Sequence, residues 1–510
     1  MKKQSSVLLS VVTSIALLAG CSSSEQGNAD AGQTNNSTSK TIEKKTFSML
    51  VESNPSWPYN KDWPVWKWIE EKTGVTFNIS VPSGKLDEAV KLNVASGNMP
   101  DISMMLSLAE ANKYGQQGAL VNILDYKDEM PNFKKWMEKY PEITKGNIAS
   151  DGKMYMFPNE GFGETNRMNW LYREDIFKKH GLAKPTNYDE LYTVLKKLKE
   201  LYPDSYPLSF RMGKVLHDSM TKILTPAFGT NELYVYDDAA KQVKYGPVED
   251  GYKSMVEYLS KFAKEKLIPP NWLTVDTKQW QDLMSTNKAF VTFDYIGRID
   301  FFNQPLRKDN PEYTLAFMAP PAGPGGKQLN PYTQILQSGM TISSDSKQIK
   351  AIMKYIDFYY TEEARTLVSW GKEGETYTVE NGVKKIKPEY TDLTDLRKKT
   401  GLASHGTYNW IDFDAHLSLA STELKAAYEE ARKYDSAYHP IAAFNDKEQE
   451  ILSTVGEAIN KHREENISKF ITGDKSLDGW AKYVEEANKL GLPQIMDIYK
   501  TAYERAKNAK

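Results

Sequence analysis

The spacing of apolar positions changes period along the chain, and those changes predict the order of its elements. Thr46–Val51 reads as a first strand. Asp62, Trp63 and Pro64 then open a helix, because Asp can cap a first turn and Pro is tolerated within it. Trp66 and Ile69 give that helix an apolar stripe, and Gly74 stops it. Val75, Phe77, Ile79 and Val81 alternate as a second strand. Lys85–Ala95 reads as a helix ending at Gly97, and Asp101–Leu106 as a third strand. This β-α-β-α-β order predicts a parallel sheet with right-handed crossovers. Further on, Asn187–Glu200, Asp250–Lys266 and Lys347–Tyr360 are helical by period, while Ala289–Tyr295 and Tyr313–Met318 read as strands. The Pro- and Gly-rich stretch Ala319–Gly326 is a loop or hinge. Beyond Thr422 the pattern is mostly helical, with mixed charges and no heptad run, which predicts packed helices rather than a coiled coil.

The first 45 residues stand apart. Lys2 and Lys3 precede an apolar run, Val7–Leu18, and then Leu18-Ala19-Gly20-Cys21. A run this short, with a basic start and small residues behind it, fits a secretory signal over residues 1–20 and cannot span a bilayer. Leu18–Cys21 resembles the lipobox of bacterial lipoproteins. That resemblance implies cleavage before Cys21 and acylation of its sulfur and new amine, since stable anchoring takes more than one chain. Cys21 is the single cysteine of 510 residues. A disulfide framework is therefore excluded, as is a thiolate zinc site within one chain. Residues 21–45 follow as lipidated Cys and tether: from 22 to 41 there is no aromatic and no large aliphatic side chain to offset the entropy of ordering. About 20 such residues reach roughly 25 Å. The expected location is the extracytoplasmic face of the cell membrane, held there through the lipid alone.

The remaining composition narrows the partners. Lys plus Arg total 65 and Asp plus Glu 67, a net charge of −2, which argues against a nucleic-acid surface because that needs a basic excess. Aromatics reach 12%, with 11 Trp and 30 Tyr, and none falls in the first 45 residues.

Several segments in order resemble the family 1 extracellular solute-binding proteins of sugar-type ABC importers. Trp66–Phe77 (WKWIEEKTGVTF) resembles the family's first helix and second strand, and Ala95–Ile102 (ASGNMPDI) the approach to its third strand. Gly152–Pro158 resembles the hairpin before the first crossover, and Asn169–Leu182 with Pro185–Leu191 the crossover strand and the helix after it. Ser338–Thr366 resembles the return strand and helix, and Trp370–Val379 (WGKEGETYTV) a turn of a long-chain subgroup related to alginate-binding proteins. The resemblance implies an α/β, two-lobe periplasmic-binding-protein-like (type II) fold with a hinge, a ligand cleft and a helical C-terminal part. It places lobe one at 46–165 plus 320–372 and lobe two at 166–319 plus 373–510. It also implies closure on the ligand and docking on an ABC permease. Long alginate-binding relatives carry a calcium loop after the helix behind the crossover. Lys199–Leu208 has one Asp and no alternating oxygen ligands there, so no calcium, and no other cofactor or metal, is expected.

A sugar offers C–H faces to aromatic rings and hydroxyls to charged or amide groups. Ligands in α/β sheets sit beyond strand ends. Trp57, after the first strand, either lines the cleft or packs on the lobe rim. Ser107, after the third strand, is a ligand contact or a helix N-cap. Glu160, Glu164 and Arg167 near the crossover are ligand groups or solvated hinge charges. Arg211 follows a strand-like stretch in lobe two and could fork onto hydroxyls or a carboxylate. Tyr295 ends the strand Ala289–Tyr295, where maltose-type relatives carry a stacking aromatic, and Arg298 is its polar companion. Glu373 and Tyr377 lie in the family's turn and bind ligand or shape the hinge. Trp410 is cleft or core. Among the decoys are Gly323–Lys327, whose spacing fails as a P-loop, and Asp412–His416, whose metal-like spacing is more simply a structural His.

The function expected is a monomeric, lipid-anchored binding protein delivering a saccharide, an oligosaccharide in particular, to an ABC permease. Arg167, Arg211 and Arg298 together raise an acidic saccharide such as a uronate oligomer. The alternatives are a peptide or other small-metabolite binder of the same importer class, a surface glycoside-processing enzyme and a purely structural surface protein. The enzyme ranks low because no motif pairs two carboxylates across a cleft.

Overall fold

The computed structural model describes residues 43–508 apart from 55–56, 166, 212–215, 334, 405, 408–410, 438 and 440. The signal, Cys21 and Trp410 therefore lie outside the described residues. Strands β1 (Lys45–Leu50), β2 (Val75–Ser80) and β3 (Ile102–Ser107) pair in parallel as predicted, in the order β2-β1-β3. β4 (Phe157–Glu160) and β5 (Met168–Arg173) follow, then a hairpin of β6 (Tyr234–Asp237) and β7 (Gln242–Tyr245). β8 (Val291–Tyr295), β9 (Leu315–Met318) and β10 (Ile335–Ile342) precede a second hairpin of β11 (Tyr377–Glu380) and β12 (Val383–Ile386).

The first sheet is five-stranded, β2-β1-β3-β10-β4. It is mixed rather than parallel throughout, because β10 is antiparallel to both β3 and β4. The reason is connectivity. β10 arrives from the second sheet at the end where β3 finishes, and must run back against it. The second sheet, β8-β5-β9, is antiparallel.

The first helix, Pro64–Thr73, has Trp63 at its N-cap and no side-chain cap. The expected cap Asp62 is one residue too early. The turn before the helix is closed by Asn60, whose Oδ1 accepts from Asp62 N (2.9 Å) and whose carbonyl accepts from Trp63 N (3.3 Å). Gly74 ends the helix at φ 73°, a left-handed position that favours glycine.

One core joins the first sheet to its helices through Phe47, Met49, Trp68, Ile102, Phe133 and Met353. Leu396 and Leu402 belong to this core too. That part of 373–510, a range the sequence reading assigns to lobe two, packs on the first sheet. In the second sheet the two-residue period sends Trp170 and Tyr172 to one core and Leu171 to another on the opposite face. Burying each such aromatic contributes about 1.5–3 kcal/mol. The C-terminal helices enter the first of those two cores through Ile467, Phe470 and Tyr483. No helix among the described residues is long and apolar enough to cross a membrane.

Among the described residues, three chain passages link the two sheets' cores. Residues 161–167 run from β4 to β5, and 319–334 from β9 to β10. Residues 403–421 lead from Leu402 in the first core to Leu424 beside the second sheet. The first and third passages touch: Ile411 N donates to Glu160 O (3.0 Å), and a Cβ on Gly161 (φ 91°) would meet Ile411 O at 2.5 Å.

Candidate functional site

Strand β8 is buried along its length until Tyr295, which is 37% exposed. The preceding residue, Asp294, is 1% exposed. Arg298 starts the next helix four residues on and donates from Nε to Asp294 Oδ1 (2.9 Å). Leu208 pairs in parallel with Val291, so the segment it belongs to runs along β8 and delivers Arg211 to the same carboxylate. Arg211 Nε donates to Oδ2 (2.6 Å) and Nη2 to Oδ1 (3.2 Å), while Tyr295 N adds a fourth donor to Oδ1 (2.8 Å). Burial alone would pull the Arg211 guanidinium down. The hydrogen bond and charge of Asp294 outweigh it and hold the group above its ordinary range.

Two cations share one anion, so the cluster keeps a net positive charge. The guanidinium carbons of Arg211 and Arg298 lie 5.5 and 5.8 Å from the Tyr295 ring and 5.6 and 5.5 Å from the buried Trp280 ring. Among the described residues Arg298 Nη1 and Nη2 make no hydrogen bond, and its side chain is 19% exposed. Sequence reasoning named Tyr295 with Arg298 as its companion and Arg211 apart from them. The structure brings all three together. The arrangement offers an aromatic face and a free guanidinium fork, which is what a sugar ring and its hydroxyls require.

The charges at the first passage are otherwise engaged. Arg167 is 1% exposed. It donates to Glu164 (2.7 Å) and, through both Nη atoms, to Asp435, with Nη2 at 2.9 Å. Glu164 also accepts from Arg432 Nε (2.7 Å). Asp435 in turn pairs with Asn330 of the second passage. Burial works against the charge of Arg167, and the hydrogen bonds and charges of Asp435 and Glu164 raise it above its ordinary value. These residues tie passages to one another.

Glu160 accepts from Trp136 Nε1 (2.8 Å) and Tyr140 OH (2.6 Å). Ser107 forms a capping box with Glu110: its Oγ accepts from Glu110 N (3.3 Å) and donates to Glu110 Oε2 (2.6 Å). Tyr377 is buried beside Trp370, and Glu373 bridges back to it. Trp57 is half-buried, with the Arg397 guanidinium 4.7 Å from its ring centroid. In the stretch without the calcium pattern, the carbonyl of Ser205 accepts from the Lys199 ammonium (2.6 Å).

The model of bacterial extracellular solute-binding proteins matches residues 58–366, more than half of the chain. The chain belongs to this family. A relative from Streptococcus pneumoniae, the fructooligosaccharide ABC transporter substrate-binding protein FusA, is 24% identical over 98% of each chain. The polygalacturonan/rhamnogalacturonan-binding protein YtcQ of Bacillus subtilis is 23% identical over 98% of this chain and 99% of its own. Among solved structures, the alginate-binding protein AlgQ2 without calcium ion superposes with a TM-score of 0.75 at 23% identity, covering 90% of this chain and 98% of that one. FusA in complex with kestose gives 0.71 at 21% identity, over 91% and 100%. The fold is thus the two-domain fold of these solute-binding proteins.

Within this family fold, sequence reasoning missed Asp294, Trp280 and Arg397. Asp294 had a local signal, its four-residue spacing to Arg298. Trp280 and Arg397 had none, since their neighbours come from distant segments.

Proposed function

We propose that this solute-binding protein takes up an oligosaccharide at the Arg211–Tyr295–Arg298 cluster and delivers it, as a monomer and without transforming it, to an ABC import permease. The observation that carries this reading is the exposed Tyr295 ring flanked by two guanidiniums that share a single acid. The fructooligosaccharide named for FusA and the polygalacturonan and rhamnogalacturonan named for YtcQ, both of which align over nearly the whole chain, support it. Calorimetric titration against a glycan panel tests it. Tyr295→Ala is expected to weaken the best ligand about tenfold, the equivalent of about 1.5 kcal/mol of lost ring stacking. The reading fails if no saccharide binds the wild type, or if the alanine variant binds as tightly.

Anchoring through Cys21 belongs to the same proposal, supported by the Leu18–Cys21 motif and by full-length similarity to a Bacillus subtilis protein named lipoprotein LipO. Cys21→Ser is expected to abolish incorporation of labelled palmitate and to release the protein into the medium. Labelling that survives the substitution rules the anchor out.

A further inference from the structure

Arg397 lies in the helix Leu393–Thr400 and is 5% exposed. Arginine stays charged at any physiological pH, and a charge taken out of water needs an acceptor. The other buried arginines have one. Arg167 has Glu164 and Asp435, Arg173 has Asp175, and Arg463 has Glu464. The Arg397 side chain makes no hydrogen bond and no ion pair among the described residues, and its Nε is sealed from solvent without an acceptor. Its guanidinium lies 4.7 Å from the centroid of the Trp57 indole, and its charge reaches His416 and Tyr428.

Two further polar atoms nearby are in the same condition. Trp57 Nε1 is buried without an acceptor. His416 supplies the opposite polarity. The Tyr428 hydroxyl donates its only proton to Thr165 O (2.7 Å), so it must accept from His416 Nε2 (2.9 Å). That fixes the tautomer and leaves Nδ1 a bare lone pair, buried and unpartnered. Burial, with the charge of Arg397 adding to it, pushes His416 down to about 3, so the ring is neutral. Thr165 belongs to the first passage and Trp57 to the loop after β1. The three unanswered groups therefore lie where the first sheet's strand ends meet the passages.

We infer that Arg397, Trp57 and His416 form a subsite for a uronate residue, its carboxylate received by the guanidinium and the indole N–H and a ring hydroxyl donating to His416 Nδ1. This rests on the saccharide reading and names the ligand as acidic. A carboxylate supplies two acceptor oxygens for two donors that have none, and the acid's own hydroxyl matches the leftover acceptor. The opposing possibility is a purely structural guanidinium–indole stack with a trapped water.

The test is titration of the full mature protein with oligogalacturonate and oligomannuronate, each as the free acid and as its methyl ester. The free acid is expected to bind at least tenfold more tightly than its ester. Arg397→Gln is expected to erase that ratio and Arg397→Lys to restore part of it. Trp57→Phe, which keeps the stack and removes the N–H, is expected to reduce the ratio severalfold, and it carries the test should both Arg397 variants unfold. A ratio near one in a wild type that binds saccharides overturns the inference and leaves the saccharide reading intact. A ratio unchanged in the variants also overturns it, and assigns the preference to Arg298. Binding of no saccharide at all defeats the underlying reading instead.

Discussion

Asp294→Ala is expected to destabilise the fold by about 3–5 kcal/mol, the range for removing one partner of a buried ion pair. The position makes the upper part of that range the expectation. Asp294 is 1% exposed and accepts four hydrogen bonds, from Arg211, Arg298 and the Tyr295 backbone. Without it, two guanidiniums face each other with no acid between them. Each lies within 6 Å of the same two rings, Trp280 and Tyr295. A neutral Asp294→Asn keeps the shape and some acceptor capacity, so it should cost less than alanine while still losing the charge. Urea unfolding followed by circular dichroism measures both. Ligand affinity should fall as well, since the carboxylate fixes the orientation of both arginines. An alanine variant with an unchanged midpoint would show that the cluster is solvated and loosely held, and that the geometry beside Tyr295 is not set by Asp294.

The parts of this molecule legible in the sequence are those decided within one turn or one strand. The alternation from Val75 to Val81 marks a strand because one face meets the core. Ser107 could be read as a helix N-cap because the partner it proves to have, Glu110, sits three residues on. Tyr295 could be picked out because the strand pattern ends on it and maltose-type relatives carry a stacking aromatic at that strand end. What failed to show depends on partners brought from elsewhere. β10 is antiparallel to β3 because of where the chain re-enters the sheet, which no local pattern encodes. Arg167 and Arg211 looked alike as free cations near a cleft. Only the fold reveals that Asp435 and Asp294, each far along the chain, bind them. Arg397 is the extreme case. It stands with Lys398 and Lys399 in the last turn of the helix, where a cation suits the helix dipole, and nothing local marks it off from them. Burial under Trp57 separates it from its two neighbours, and burial is a tertiary property.

Arg167→Ala separates two roles that sequence alone left open, ligand contact and structural tie. As a ligand contact it would lose affinity and keep its stability. The geometry argues for the tie. Arg167 is one of the largest fully buried side chains in the molecule, and its guanidinium links Glu164 on the first passage to Asp435, which pairs with Asn330 on the second. Truncation leaves a cavity and strands two acids, with Arg432 and the Thr333 hydroxyl left to answer Glu164. The expected loss is about 3–5 kcal/mol. Because the pair is buried, raising salt should recover little of it, unlike an exposed bridge. Arg167→Lys keeps the charge but loses the planar fork that reaches both acids at once, so an intermediate loss is expected. Affinity should fall in step with stability across the two variants, because loosened passages leave the two sheets without a fixed relation when ligand arrives. Thermal and urea unfolding beside saccharide titration decides the matter. Full wild-type stability with selectively lost affinity would return Arg167 to the ligand and remove it from the hinge.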